Sequence, residues 1–299
     1  MWNFCFPDNL HLEQKRQMEY AIKKERMEWS AYHSIECGTT SDSIAAEPII
    51  VSLTTHGKRI HTVHLAIESI LQQSVKPNKI VLYLSNEEFF DVSRLPVVIR
   101  RQMERGLEIR FVRDQRSYTK LLPALKEYPD CSIVTVDDDL LYPYDMLEGL
   151  VKAHRGHPEC ICCHTSLTIT FRSSVELNDF SSFCYEIPSF EDTVSSYFMP
   201  EGFAGVLYPP HSLDDRVFDE EMFMHLSPTA DDLWFKVMSL IKGTPILRLH
   251  NPFHLFHELY LIESVQDMGL RQENVVRNRN DMQLRALFDH FNLYQYFHD

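Results

Sequence analysis

Glycine is scarce in this chain, with nine in 299 residues. A fold that leans on Gly-rich phosphate-binding loops is therefore excluded. No basic stretch offsets the acidic balance: the formal net charge is −14 and the pI is near 5.5. That excludes a dedicated nucleic-acid binder, which needs a basic face. Any phosphate held here must meet a few placed cations, a helix N-terminus or a metal. No uninterrupted apolar run is long enough to cross a bilayer. The seven cysteines are few and odd in number, and no secretory leader pattern opens the sequence. A disulfide scaffold is excluded, and free thiols in a reducing cytoplasm are expected.

What is present is globular composition, 44% hydrophobic and 24% charged, enough for one large domain or two small ones. Residues 8–33 are charged and helix-prone, with Leu10, Met18, Ile22 and Met27 as sparse apolar points. They are expected outside the main domain, as a solvated helix on its edge. A partner or membrane-surface helix is the alternative. Residues 37–47 read as a linker. From 48 to 155, β-rich runs alternate with helical ones. "PIIVSLTT", "KIVLYLS", "LEIRFV" and "SIVTV" are the expected strands. The first helical segment carries Ile60, Val63, Ile67, Ile70 and Leu71 near a 3.6 period. Ser117 is the expected cap of the third helix, and Pro143 is placed in the first turn of the fourth. The alternation predicts an α/β fold, a mostly parallel sheet flanked by helices. Loops and short strands are expected over 165–200. A helix is expected over "SPTADDLWFKVMSLIKG", capped by Ser227 or Thr229 and ended by Gly243. "TPILRLH" reads as a strand, and residues from about Asn278 to His298 read as helical.

Asp137, Asp138 and Asp139 directly follow the fourth strand. Three adjacent carboxylates repel one another and are costly to desolvate, so the cluster calls for a cation. Ligands of open α/β sheets bind beyond the carboxyl ends of the strands, where these acids fall. Alternate carboxylates, Asp137 and Asp139, can share a divalent metal while the middle one faces elsewhere. Oxygen donors without cysteine point to Mn²⁺ or Mg²⁺, whose shell is completed by water and substrate phosphates. A second pair, Asp231 and Asp232, opens a helix. Taken alone, acids in a first turn stabilise the helix by about 0.3–1 kcal/mol. The preceding "EGFAGVLYPP" (201–210) uses two of the few glycines, Gly202 and Gly205, which suggests an irregular segment that needs their freedom.

His250, His254 and His257 follow the late strand; one of them is a third metal ligand, or all are ordinary surface or core histidines. The run "HRGHPECICCHT" mimics a zinc cluster but lacks two spaced CxxC pairs. Cys160, Cys162 and Cys163 fall in an apolar, strand-like stretch, so small core residues and no zinc are expected there. The cations placed to meet a diphosphate are Lys58, Arg59 and Lys120; the alternative is plain surface charge.

Taken in order, "PIIVSLTTHGKRIHTVHLAIESILQQSVKPNKIVLYLS", "SYTKLLPALKEYP" and "SIVTVDDDLLYP" resemble the nucleotide-sugar half of GT-A fold glycosyltransferases, family 2-like, of bacterial surface-polysaccharide type. "EGFAGVLYPP" followed by "TADDLWF" is similar to that family's glycine-containing acceptor segment and acidic helix start. The resemblance spans 48 to 250. Two differences stand out: "SNEE" replaces the usual acid after the second strand, and Asp-Asp replaces Glu-Asp in the second acidic motif.

The resemblance implies a helical extension and linker (1–46), then a single GT-A, Rossmann-like domain (47–299). Within it, 47–164 would be the nucleotide-sugar half, and 165–299 the acceptor half with C-terminal helices. It implies a metal-dependent hexosyltransferase. A sugar would pass from a nucleotide-diphosphate donor, a UDP-sugar in the simplest case, to a glycan hydroxyl in capsule or lipopolysaccharide-type synthesis. Asp137 and Asp139, with His254, would hold Mn²⁺ or Mg²⁺. Thr54, Thr55, Arg59, Asn86, Lys120, Asp137 and Asp138 would contact the donor. Asp232 would be the general base of an inverting displacement, with Asp231 as the fallback, and a retaining outcome stays open. The implied partners are the nucleotide sugar and the glycan, and no nucleic acid. Peripheral association with the inner face of a membrane, and oligomerisation, stay open.

Two other classes compete. A sugar nucleotidyltransferase would carry a Gly-rich basic loop after the first strand, where "SLTTHGKR" has only Gly57. A non-catalytic glycan- or nucleotide-sugar-binding relative is the other; acids at both sites argue against it, and tight nucleotide binding without donor hydrolysis would favour it. A phosphatase with an aspartate nucleophile needs its motif on the first strand rather than the fourth.

Overall fold

The aliphatic runs after residue 48 form strands β1 (Ile49–Thr55), β2 (Lys79–Ser85), β3 (Leu107–Val112) and β4 (Ser132–Thr135). The computed structural model describes residues 10–185, 191–250, 258–262 and 279–297. These four strands are parallel and lie in the order β3-β2-β1-β4, with Thr55 opposite Leu84 and Ser52 opposite Thr135. Their side chains alternate between two cores, as the strand period of two requires. Ile50, Val81, Tyr83 and Ile133 belong to one; Ile49, Val51, Leu53, Ile80 and Leu82 belong to the other. Both faces are thus covered, and burying one such aliphatic side chain contributes roughly 1.5–3 kcal/mol.

The helices that join these strands are α2 (Val63–Leu71), α3 (Val97–Met103) and α4 (Leu122–Glu127). The 24-residue α1 (Leu10–His33) precedes them, and α5 (Met146–Gly156) follows β4. Two local expectations are corrected here. The third helical segment begins as a 3-10 turn (Arg116–Lys120) before α4, and Ser117 does not cap it. Pro143 lies before α5, whose N-cap is Asp145. Leu140–Leu141, ahead of Pro143, form a short strand, β5.

The second half is built of short strands: β6 (Ile161–Cys163), β7 (Ser166–Thr168), β8 (Phe171–Ser173), β9 (Glu176–Leu177) and β10 (Cys184–Tyr185). These are followed by β11 (Thr193–Val194), β12 (Phe198–Pro200), β13 (Val206–Tyr208), β14 (Ile246–Arg248) and β15 (Tyr260–Leu261). Strand β13 inserts antiparallel between β4 and β6, and β14 and β11 complete an eight-stranded sheet. The result is a mixed α/β, Rossmann-like architecture with a mostly parallel central sheet. Cys160, Cys162 and Cys163 are buried free thiols at β6.

Helices α6 (Glu220–Leu226), α7 (Asp231–Lys242) and α8 (Arg279–Phe291) cover one face. Gly243 ends α7 in the left-handed conformation, as expected. Neither Ser227 nor Thr229 caps it: the N-cap is Ala230. Ser227 Oγ donates to the Ala230 carbonyl, and Thr229 donates to Gln283 of α8. On the other face, Met27 and Ala31 of α1 are buried. Lys23 of α1 donates to the carbonyls of Tyr142 and Glu258, each at 2.9 Å. Among the described residues no helix is long and apolar enough to cross a membrane.

Candidate active site

The two acidic motifs, nearly a hundred positions apart in the sequence, meet beyond the carboxyl ends of β1 and β4. Strand β13 brings them together, because its antiparallel pairing with β4 lays the segment before it, Gly202–Gly205, over the three aspartates. Tyr142 clasps the two. Its hydroxyl accepts from the Asp137 amide at 2.7 Å and donates to the Phe203 carbonyl at 2.9 Å. Next to Phe203, the Gly202 amide donates to Asp232 Oδ2 at 3.0 Å.

Lys120 is the hub. Its ammonium lies 3.2 Å from Asp137 Oδ1, 3.0 Å from Asp231 Oδ2 and 3.8 Å from Asp232 Oδ1. Its backbone carbonyl accepts from Ser52 Oγ of β1, which fixes the turn against the sheet. Burial works against its charge, but the three carboxylates prevail and hold its pKa well above the usual lysine value. Gly202 is needed for space here: a Cβ would come within 2.7 Å of Asp232 Oδ1 and 2.8 Å of Lys120 Nζ. At Gly205 the need is conformational, since its φ is 95°.

Arg59 serves the other acids. The 3-10 turn Gly57–His61 that follows β1 places its guanidinium 2.6 Å from Asp138 Oδ1 and 3.2 Å from Asp139 Oδ2. Thr55 Oγ1 donates to Asp138 Oδ2 at 2.5 Å. Asp138 is buried, and burial raises its pKa although Arg59 and Thr55 oppose the rise. The middle aspartate therefore anchors the loop, and Asp137 and Asp139 remain partly open, with side chains 31% and 15% exposed.

The two acids of α7 differ. Asp231 is 9% exposed at its side chain and sits on Lys120, whereas Asp232 is 34% exposed, lies farther from Lys120 and accepts from the Gly202 amide. Burial, opposed by Lys120 and reinforced by Asp231 and Asp137, pushes Asp232 up to about 7. A carboxylate with a pKa near neutrality can take a proton from a hydroxyl and pass it on.

Of the other sequence candidates, Thr54 Oγ1 donates to the Tyr83 carbonyl, and Asn86 is exposed at the end of β2 with its amide on the Val112 carbonyl. Glu88, within "SNEE", accepts from the Gly57 amide and so braces the turn that carries Arg59. Lys58 is exposed. His254 and His257 lie outside the described residues, and His250 engages Asp192 at 2.7 Å. Tyr142 and the Gly202 amide are the participants that sequence reasoning missed. Gly202 carried a signal, its rarity; Tyr142 carried none, because its role depends on a pairing between distant strands.

No protein-family model matches the chain, and no curated protein matches it. Among solved structures it is similar to the mannosyltransferase PcManGT from Pyrobaculum calidifontis in complex with GDP-Man and Mn²⁺. The identity is 16% and the TM-score 0.32, over 51% of this chain and 44% of that one. The chain spans less than half the length of that structure.

Proposed function

We propose that this protein is a metal-dependent glycosyltransferase that moves a sugar from a nucleotide diphosphate, a UDP-sugar in the simplest case, to a glycan hydroxyl. The observation that carries the reading is Lys120. One buried ammonium gathers the acid after the fourth parallel strand and the acids opening α7 into a single cluster at the carboxyl edge of the sheet. That edge is where open α/β sheets bind their ligands.

Asp137 and Asp139 would hold the divalent ion, with Mn²⁺ or Mg²⁺ suited to their hard, partly exposed oxygens. Bound there, the ion offsets charge that grows on the leaving diphosphate. Arg59 and Lys120 add fixed positive charge on either side of the same position. Thr54, Thr55 and Asn86 line the edge where the nucleoside would lie. Asp138 keeps the loop and Arg59 in place rather than meeting the ribose, because it is buried against both Arg59 and Thr55.

Asp232 is the base. It accepts the proton of the acceptor hydroxyl as that oxygen bonds to the anomeric carbon and the bond to the diphosphate oxygen breaks, inverting the centre. Its exposure and its longer distance to Lys120 distinguish it from Asp231. The resemblance of residues 48–250 supports surface polysaccharide as the pathway.

A panel of nucleotide sugars, screened for thermal stabilisation and slow hydrolysis with and without Mn²⁺, tests the reading. At least one nucleotide diphosphate-sugar is expected to raise Tm only with metal and to be hydrolysed slowly. A panel in which none does either overturns it.

A further inference from the structure

Arg16, Tyr20, Lys23 and Met27 of α1 follow one another at intervals of four, three and four residues, which lines them up on one face of the helix. That face does not pack on either large core. Met27 and Tyr20 join a small apolar cluster of its own with Leu65 of α2, Leu141 of β5, and Tyr260 and Ile262 at β15. The rings of Tyr20 and Tyr260 lie 6.0 Å apart.

The cations of the same face reach main-chain carbonyls. Lys23 Nζ donates to Tyr142 and to Glu258, each at 2.9 Å, and the Arg16 guanidinium donates to Leu259 at 2.9 Å. Both charges also sit over the Tyr260 ring, 5.1 Å from its centroid for Arg16 and 5.4 Å for Lys23.

These carbonyls belong to two segments that each hold one outer aspartate of the triple-aspartate loop. Tyr142 accepts from the Asp137 amide through its hydroxyl, at 2.7 Å. Strand β15 pairs antiparallel with β5, Tyr260 opposite Leu141, and the Ile262 amide then donates to the Asp139 carbonyl at 2.7 Å. The loop is thus held at the amide of its first aspartate and the carbonyl of its third, and Lys23 touches both holders. Strands of two residues are marginal by themselves, so contacts from outside decide whether β15 stays on β5.

We infer that Lys23 is a positioning residue for the triple-aspartate loop. By gripping Tyr142 and Glu258 at once, it fixes the backbone of Asp137 and Asp139 and so sets their carboxylates for the metal. The last step rests on the glycosyltransferase reading; the grip itself does not.

Hydrogen exchange of the metal-free full chain tests the grip. Lys23→Met removes the donor and keeps a long side chain. The amides of Asp137 and Ile262 are expected to exchange at least about tenfold faster than in wild type, while the amides of β13, central in the main sheet, exchange as before. Lys23→Arg restores a cationic donor and is expected to recover most of the protection. Lys24→Met loses the same charge one position along and is expected to change neither amide. In the same proteins the dissociation constant for Mn²⁺ alone, read from the free-ion electron paramagnetic resonance signal, is expected to rise at least about tenfold in Lys23→Met, the scale of losing a support behind a metal ligand. Unchanged exchange at either amide overturns the inference. Acceleration that spreads equally to β13 overturns it as well, because Lys23 is then a general support of the fold. So does faster exchange with Mn²⁺ bound as tightly as in wild type. A wild-type chain that takes up no Mn²⁺ counts against the glycosyltransferase reading instead, and the exchange measurement then decides the grip alone.

Discussion

The ammonium of Lys120 lies 3.0 Å from Asp231 Oδ2, and it also touches Asp137 at 3.2 Å. A single side chain on the turn before α4 thus ties the loop after β4 to the start of α7. Replacing it strips three carboxylates of their buried counter-ion. Lys120→Met is expected to destabilise the fold by about 3–5 kcal/mol near neutral pH, the usual cost of breaking a buried ion pair from one side. The loss should shrink in acid, as the carboxylates protonate. Urea denaturation of both proteins across a pH series checks it; equal stability throughout would mean that Lys120 is not the cation of the cluster.

Gly202 stands where any side chain would collide with Asp232 and Lys120. Both neighbours are side-chain ends, so the fold can adjust, at a cost of about 1–3 kcal/mol. Gly202→Ala is therefore expected to remain folded while transfer falls at least about tenfold through the displaced base. Turnover measured alongside Tm separates the two effects, and full activity would show that the base tolerates movement.

The protonation of Asp232 gives a pH signature. Burial, against the pull of Lys120, raises it from 3.8 to about 7. Only the ionised form accepts a proton, so kcat/KM should rise with pH through about 7 and level off above it. Stability should run the other way. Between 3.8 and about 7 the folded chain keeps the proton that the unfolded chain has released, so this group's contribution falls as pH rises through that window. Asp232→Asn should consequently raise Tm above wild type at about pH 8, and not at about pH 4. A Tm difference independent of pH would contradict the assignment.

The strands of the first half were legible in the sequence because each is short and rich in apolar residues: Lys79–Ser85, with five consecutive apolar residues, and Leu107–Val112, where apolar residues alternate with Glu108 and Arg110, match their sequence segments residue for residue. The place of Asp137–Asp139 at a strand end followed from the same runs. The second half was less legible because its strands are two or three residues long and are set by pairing with distant partners. The insertion of β13 between β4 and β6 leaves no mark in local periodicity, yet it brings Gly202 to Asp232. Capping failed for a related reason. Thr229 has the chemistry of a cap, but Gln283, more than fifty residues later, takes its amide and hydroxyl hydrogens. For Lys120 the sequence supplied a cation near the site, and only the fold shows that it serves both acidic motifs.

The central claim is that Asp137–Asp139 and Asp231–Asp232 form one sugar-transfer site with separate duties. Titration calorimetry of UDP in the presence of Mn²⁺, paired with transfer rates, tests it on wild type, Asp139→Asn and Asp232→Asn. Asp139→Asn is expected to lose metal-dependent UDP binding while remaining folded. Asp232→Asn is expected to bind UDP as wild type does and to lose at least about a hundredfold in transfer, the scale of general-base catalysis. Metal-dependent binding and transfer that are unchanged in both variants would contradict the account.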